Sequence, residues 1–506
     1  MKLSQLIESI IVSGQSTPAD PDITGLACDS RKVRPGTLFF ALRGSKADGH
    51  GFIGLAVEAG AAAVVLEDEA AAPAGIPWVR VSDGREAMAH AAALFNGNPT
   101  AARPLIGITG TNGKTTTTYL LEAMMRADGR PAAVLGTIAY RFGGTVIEAS
   151  HTTPESIDLQ AVFAALATAG AASFVMEVSS HALEQKRVDG CCFDVGIFSN
   201  LTRDHLDYHG SMENYLQAKQ RLFSDLLRPD SIKPRRRAVI NMDDASGAAV
   251  AAVSACPTVT FGIDYRGDVY PVDVVSSVSG ICGTLKTPAG DIPFRSRLLG
   301  RFNLSNILAA AAAGIAMELP PDVIRAGIEQ HDTVPGRLER VDAPEGVTCL
   351  VDYAHTGDAL ENVLATVRQI TAGRIITVFG CGGDRDNGKR PIMGRIAAVY
   401  SDLAIVTSDN PRTEDPHRIL EQVRSGIVPL GLPEYDAQEL RDIPARGFTV
   451  CENRREAIRL AARLATSGDI VLLAGKGHED YQIIGTVKHH FDDREEAAAA
   501  FREQQQ

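Results

Sequence analysis

The chain has 506 residues, of which 45% are hydrophobic and 22% charged, and its net charge is −12. That length exceeds what one core supports, so about three domains are expected at roughly 100 to 200 residues each. The acidic balance argues against a nucleic-acid binder working through a broad cationic surface, while small anions can still be held by local arginine and lysine clusters.

Eight cysteines without CxxC pairs predict the reduced, mostly buried thiols of a cytosolic protein, with the adjacent Cys191 and Cys192 as strand residues and not metal ligands. The start MKLSQLIESI carries Glu8 and lacks the plan of a signal peptide. The longest small-apolar run, ILAAAAAGIAM, is too short to cross a bilayer. A cytoplasmic location without membrane insertion is therefore expected.

Along the chain, NGNPTAARP (96–104) and HDTVPGRLER (331–340) are rich in breakers or charge and predict linkers, dividing the chain into 1–100, 101–335 and 336–506. The middle and last parts alternate short apolar runs (FVMEV, DVGIFSN, IITVFG, LAIVTS, IVLLAG) with helical patterns. This predicts an α/β fold of parallel sheets covered by helices. Ligand sites in such sheets form beyond the carboxyl ends of the strands.

The middle part opens with GITGTNGKTTTTYL (107–120) after the apolar strand PLIGIT. Tyr119, Leu120, Ala123 and Met124 then share one face of a helix that ends near Gly129 and Pro131. Glycines let backbone N–H groups crowd around an anion, and the helix N-terminus adds unpaired donors. Lys114 can reach terminal phosphates and the Thr115 hydroxyl can ligate magnesium. Five residues separate Gly107 from Gly113, with Gly110 between them, so the generic P-loop pattern is only approximately met, and a bare glycine turn is the alternative.

In SFVMEVSSHALEQKRV, Glu177 lies inside an apolar strand. A carboxylate there needs a cation or a hydrogen-bond network, which means either magnesium shared with Thr115 or a structural salt bridge. SNLTRDHLDYHG places His205 just past the next strand, where alone it reads more readily as a surface or hydrogen-bonded histidine than as a ligand. In SMENYLQAKQRLF, Ser211 is the expected N-cap, and Met212, Tyr215, Leu216, Leu222 and Phe223 mark the apolar face. Lys219 shares that face. Either it snorkels, or desolvation lowers its pKa until the neutral amine adds carbon dioxide as a magnesium-binding carbamate.

Taken together, GITGTNGKTTT, HTTPES, EVSSHALEQKRV, NLTRDHLDYHG, AKQRLF, GRFNLSN, PGRLER, DYAHT, GCGGDRDNGKRP, SDNPRTEDP and GKGHED resemble the Mur ligases across all three parts of the chain. The likeness is greatest to the members that add the third residue of the peptidoglycan stem peptide. It implies a smaller N-terminal α/β domain that binds the uridine nucleotide (1–100), a central P-loop ATPase-like domain (101–335) and a C-terminal Rossmann-like domain for the amino acid (336–506). It further implies ATP-dependent amide formation, in which the D-glutamate carboxylate of UDP-N-acetylmuramoyl-L-alanyl-D-glutamate takes the γ-phosphoryl group and an amine attacks the acyl phosphate. A monomeric enzyme is expected.

Carried over by position, Gly110, Thr111, Asn112, Gly113, Lys114, Thr115 and Thr116 would hold the ATP phosphates. Thr115, Glu177, His205 and Lys219 as its carbamate would place two Mg2+ ions, with Lys114, Glu177, His205 and Lys219 as the catalytic set. Asn303, Asn306, Arg337, Asp352 and His355 would complete the ATP site; otherwise such Asn and Arg residues read as caps or surface charges. In CDSRKVRPGTLFFALRGSKADGH, which resembles the family's uridine-binding segment, Ser30 would contact the substrate and His50 would lie near its diphosphate. Thr152, Thr153, Ser179, Gln185 and Arg187 would contact the muramoyl peptide.

For the incoming amino acid, the resemblance assigns Arg385, Asp409, Asn410, Pro411, Arg412, Gly475 and Glu479, and links the DNPR stretch to meso-diaminopimelate. That compound differs from lysine by a carboxylate at the far end, for which an arginine is a bidentate partner. As a bare tetrapeptide DNPR is an Asn-Pro turn. The rivals are a lysine-adding relative, disfavoured by Arg412; a folylpolyglutamate synthetase, which has no use for the segment from Ser30 to His50; and a non-catalytic nucleotide-binding regulator, which needs no paired magnesium site.

Overall fold

Apolar runs too short for helices and buried on both faces become central strands of parallel sheets. The computed structural model describes all residues except 17–18, 45–46, 230–231, 331–332, 444 and 506. The first residues of the expected linker 331–340 and two residues of the segment 28–50 thus lie outside the described residues. The described chain falls into two compact units: Met1–Tyr270 with Thr287–Gly290 and Leu308–Gly327, and Pro271–Lys286 with Asp291–Ile307 and Ile328–Gln506.

In the first unit, β1 (Val12–Gln15), β2 (Gly25–Ala27), β3 (Thr37–Phe40), β4 (Ala61–Leu66) and β5 (Trp78–Val81) form a sheet of order β1-β5-β4-β3-β2. Its strands are parallel except for β1. Leu38, Phe40 and Val65 pack on one face with Met88 and Ala91 of the helix Gly84–Phe95, while Phe39 and Val64 pack on the other.

The second sheet contains β6 (Leu105–Thr109), β7 (Ala132–Leu135), β8 (Ala139–Phe142), β9 (Thr145–Glu148), β10 (Ser173–Glu177), β11 (Val195–Phe198), β12 (Arg237–Asn241) and β13 (Thr258–Phe261), in the order β13-β12-β11-β6-β10-β7-β8-β9. Its core is parallel, and β8 and β9 extend one edge as antiparallel strands. Every residue of β6, β10 and β11 is buried, as their unbroken apolar runs predict. The chain leaves β6, later returns beside it as β10, and then crosses to its other side as β11. The carboxyl end of β6 is therefore a place where neighbouring loops part. Cys191 and Cys192 correct the sequence expectation: they precede β11 in an irregular segment, where the Cys192 N–H is taken by the Thr100 hydroxyl and so is not offered to a strand ladder.

Next in the chain come three strands, β14 (Tyr270–Ser277), β15 (Gly280–Thr287) and β16 (Gly290–Ser296), paired in that order. The second unit is then built on β17 (Glu339–Val341), β18 (Thr348–Asp352), β19 (Ile375–Phe379), β20 (Leu403–Val406), β21 (Glu434–Tyr435), β22 (Gly447–Val450) and β23 (Ile470–Ala474), in the order β17-β18-β23-β19-β20-β22-β21. All but β17 are parallel. The motif-bearing strands β18, β23, β19 and β20 are thus adjacent and point the same way, so the segments after them open at one edge. A hairpin, β24 (Tyr481–Ile484) and β25 (Val487–His490), follows β23. Among the described residues no helix is long and apolar enough to cross a membrane.

Candidate active site

The strand β6 hands the chain to the helix Lys114–Ala127 through a loop that only glycine permits. Gly110 has φ of 148°, and a Cβ there would lie 1.9 Å from the Ser199 Oγ; Gly113, with φ of 88°, turns the backbone into the helix. The segment after β11 fixes the loop. The N–H groups of Thr111 and Asn112 donate to the carbonyl and side-chain oxygens of Asn200 at 2.9 and 2.8 Å, and the Ser199 hydroxyl donates to the Asn112 carbonyl at 2.7 Å. Lys114 folds back over the loop, its Nζ donating to the carbonyls of Gly110 and Thr111 at 2.8 and 2.9 Å. Thr116 is buried within the helix.

Glu177 ends β10 and is 1% exposed. Hydroxyls and an amide hold its carboxylate: Oε1 accepts from the Thr115 hydroxyl at 2.9 Å and the Thr137 N–H at 3.1 Å, and Oε2 accepts from the Thr137 hydroxyl at 2.9 Å. No ion pair reaches it among the described residues, so the salt-bridge alternative falls away. Gly136 leaves room for it, since a Cβ there would stand 2.4 Å from Oε1.

The proposed peptide contacts continue from the same strand end. The Thr152 hydroxyl meets that of Thr137 at 3.0 Å, the Thr153 hydroxyl donates to the Glu177 carbonyl and accepts from the Ser179 N–H, and Arg187 donates to the Thr153 carbonyl and to the Gln185 side chain. Sequence reasoning missed Thr137; the available signal was a hydroxyl directly after the glycine that closes β7.

Lys219 bears on the first of its two sequence alternatives, snorkelling. It is 1% exposed, with its Nζ 4.3 Å from the centroid of the Tyr215 ring, so it does not snorkel. Burial, and then the charge of Lys114, pull its pKa well below the ordinary lysine value. Ser211 caps its helix, Met212–Ser224, by accepting from the Asn214 N–H. His205 sits at φ of 53° at the start of the short turn Leu206–His209. Its ring is 4.9 Å from that of His181 and 6.1 Å from that of Tyr215. Burial lowers the pKa of His205, with Asp204 opposing.

No group of three His, Cys, Asp or Glu side chains converges on a metal position among the described residues. The donors that do meet, a threonine hydroxyl and a carboxylate, are the hard oxygens that magnesium takes, and a carbamate on Lys219 would add more of the same kind. The residues present therefore fit magnesium.

In the first sheet's domain, Ser30 opens a short turn behind the Asp29 cap. Both ring nitrogens of His50 are engaged inside the fold: Nδ1 lies 2.6 Å from Asp48, and Nε2 accepts from the Glu67 N–H at 3.0 Å. His50 thus orders its loop.

In the second unit, Asn303 and Asn306 are neither caps nor surface residues. Both are buried, with Asn306 donating to Asn303 at 3.0 Å and Asn303 donating to the Leu299 carbonyl at 2.8 Å. Arg337, Asp352 and His355 gather around Tyr353: the guanidinium lies 5.0 Å and the His355 ring 4.6 Å from the tyrosine ring. Burial pushes Asp352 up to about 6, against the charge of Arg337.

Asp409, Asn410, Pro411 and Arg412 follow β20, and Gly475 to Glu479 follow β23. Asn410 Nδ2 donates to Glu479 at 3.0 Å. Arg412, at φ of 52°, is bridged to Ile484 of the hairpin, and its Nη1 donates to the Gly383 carbonyl at 2.8 Å. The Nε and Nη2 edge of its fork makes no hydrogen bond among the described residues. Gly475, at φ of 115°, donates to the Asp352 carbonyl. Arg385 is exposed nearby in the GGDRD loop.

Sequence reasoning also missed the fully buried Arg390, which ties Gly382 to Glu414 and so joins the GGDRD loop to the segment after DNPR. It likewise missed Lys476. A charged residue amid motif glycines was the only signal for either.

Comparison with known proteins gives three family matches: "Mur ligase family, catalytic domain" over residues 22–96, "Mur ligase middle domain" over 108–314 and "Mur ligase, glutamate ligase domain" over 336–477. A curated protein of Geobacter metallireducens named UDP-N-acetylmuramoyl-L-alanyl-D-glutamate–2,6-diaminopimelate ligase is 62% identical over 99% of both chains. One of Gloeobacter violaceus with the same name is 46% identical over 99% of this chain and 98% of its own. A solved structure of a ligase of that name superposes with a TM-score of 0.72 at 34% identity, covering 100% of this chain and 99% of the other. A folylpolyglutamate synthase of Mycobacterium tuberculosis shares the fold at a TM-score of 0.57 and 20% identity, over 76% of this chain and 91% of its own. Full-length identity at this level establishes that the chain belongs to the Mur ligase family.

Proposed function

We propose that this chain joins meso-2,6-diaminopimelate to the D-glutamate carboxylate of UDP-N-acetylmuramoyl-L-alanyl-D-glutamate, cleaving ATP to ADP and phosphate, as a monomeric enzyme of cytoplasmic peptidoglycan precursor synthesis. Residues 1–100 bind the uridine nucleotide, 101–335 bind ATP and 336–506 bind the amino acid. The activity for which relatives 62% and 61% identical are named supports this reading.

A carboxylate is a poor electrophile. Its oxygen attacks the γ-phosphorus, the bond to ADP breaks, and the resulting acyl phosphate loses phosphate when the amine attacks the carbonyl carbon. The loop from Gly110 to Thr116, with Lys114, holds the phosphates in line, and Asn303, Asn306, Arg337, Asp352 and His355 serve the nucleotide. Ser30 and His50 serve the uridine diphosphate, His50 by ordering its loop, while Thr152, Thr153, Ser179, Gln185 and Arg187 hold the muramoyl peptide. Thr115, Glu177, His205 and Lys219, the last as a carbamate, would hold two Mg2+ ions, which would supply charge neutralisation on the phosphates.

The observation that carries the choice of amino acid is that Arg412 and Glu479 both contact Asn410, the guanidinium at the Asn410 carbonyl and the carboxylate at its side-chain amide. The Nε–Nη2 edge of the guanidinium suits the distal carboxylate of diaminopimelate, and the Glu479 carboxylate suits its distal ammonium. The test is product mass. Incubation with ATP, the UDP-muramoyl-dipeptide and meso-diaminopimelate is expected to yield the UDP-tripeptide with one phosphate released per product, and absence of that product disproves the function.

A further inference from the structure

Lys476 lies between the two glycines of GKGHED and is fully buried, with no exposed side-chain surface. Its Nζ donates to the Tyr481 carbonyl at 2.6 Å and to the Asn410 Oδ1 at 3.3 Å, and forms ion pairs with Asp409 at 3.3 Å and Glu479 at 3.7 Å. A buried ammonium facing four oxygens on two chain segments, Asp409–Asn410 and 479–481, is an organising element, since each partner would otherwise face a desolvated charge or an unpaired group.

Two consequences follow from the geometry. Asn410 Oδ1 accepts from both Lys476 Nζ and the Ile483 N–H at 3.0 Å, which fixes the amide so that its Nδ2 donates to Glu479. Charge is also apportioned. The neighbouring buried guanidinium of Arg454 is matched by Asp493 at 2.7 and 2.6 Å, so Lys476 is the cation that answers Asp409. In spite of burial, Lys476 and then Arg454 hold the Asp409 carboxyl below its ordinary range. The farther carboxylate, Glu479, is left only partly compensated and can accept one more ammonium.

Resting on the ligase activity proposed above, we infer that Lys476 is the positioning residue of the amino-acid site: it orients the Asn410 amide and neutralises Asp409, so that Glu479 is presented to the distal ammonium of the incoming diamino acid. Glycine on either side is what admits a buried lysine here. Gly475 and Gly477 both have positive φ, and a Cβ on Gly477 would stand 2.6 Å from that of Tyr353.

The test compares wild type with Lys476→Met and Lys476→Gln in steady-state assays varying each substrate separately, with folding checked by thermal melting. Both variants are expected to raise the KM for diaminopimelate by about tenfold or more, while the KM values for ATP and the UDP-muramoyl-dipeptide stay within about twofold. Lys476→Gln, which keeps the donors to Tyr481 and Asn410, is expected to be the milder. An unchanged diaminopimelate KM, or all three KM values moving together, overturns the inference. Loss of the melting transition in both variants also overturns it, because the cation then serves the fold and not the site. A wild-type protein that makes no diaminopimelate-dependent product refutes the parent function instead, so the two failures are distinguishable.

Discussion

Glu177 and Lys219 are two buried charge-bearing side chains whose environments differ in kind. The carboxylate is met by hydroxyls and an amide, while the amine lies over the Tyr215 ring. Replacing Lys219 with alanine is expected to lower turnover by about 100-fold or more, with part recovered on adding short-chain carboxylates that substitute for the proposed carbamate. Unchanged turnover in that variant, read by phosphate release, rules the role out. A second residue-scale expectation concerns His478, whose pKa burial, followed by the charge of Arg337, lowers from 6.5 to about 4. The folded state prefers the neutral ring, so this contribution to stability is complete above pH 6.5 and is lost as pH falls toward about 4. Melting curves across that window are expected to show a loss of about 3 kcal/mol that His478→Gln lacks; identical pH profiles would contradict it. Single residues were unevenly legible in the sequence. Helical spacing placed Lys219 on the apolar face, yet only burial in the fold separates a snorkelling lysine from a desolvated one. Thr137 was invisible because its partner Glu177 is forty positions away in sequence.

At the scale of elements, the loop from Gly110 to Gly113 works because β6 lies between β10 and β11, so that Glu177 and Ser199 with Asn200 arrive from either side. Gly110→Ala places a methyl against the Ser199 Oγ and is expected to cost about 1–3 kcal/mol in denaturant unfolding, with a raised KM for ATP. Ser211→Ala removes the cap of the helix carrying Lys219 and is expected to cost about 1 kcal/mol; a loss indistinguishable from zero would show that packing alone holds that helix. The strands were legible because a run buried on both faces leaves no polar alternation, and the Ser211 cap because a hydroxyl before an apolar periodicity has few other uses. Cys191 and Cys192 were misplaced for the same reason, as small apolar residues beside a strand carry no signal of where its ladder begins.

For the whole molecule, a net charge of −12 coexists with cations at the positions proposed to bind anions: Lys114 on its loop, Arg187 at the end of the hydroxyl network, and Arg412 past the end of β20 in the second unit. The family of the chain was legible because its motifs recur in all three stretches, each short and weak alone. What pins the loops after β19, β20 and β23 was not, since Arg390 and Lys476 act through carbonyls and carboxylates on other segments. Arg412→Ala is expected to raise the KM for diaminopimelate on the order of 100-fold, because the distal carboxylate loses its charged partner. The most direct measurement sets meso-diaminopimelate against L-lysine as the varied substrate of the wild-type protein, with ATP and the UDP-muramoyl-dipeptide saturating and phosphate release as the readout. Turnover with diaminopimelate and a kcat/KM for lysine lower by about 100-fold or more is the predicted result, and equal kcat/KM for the two amino acids would contradict it.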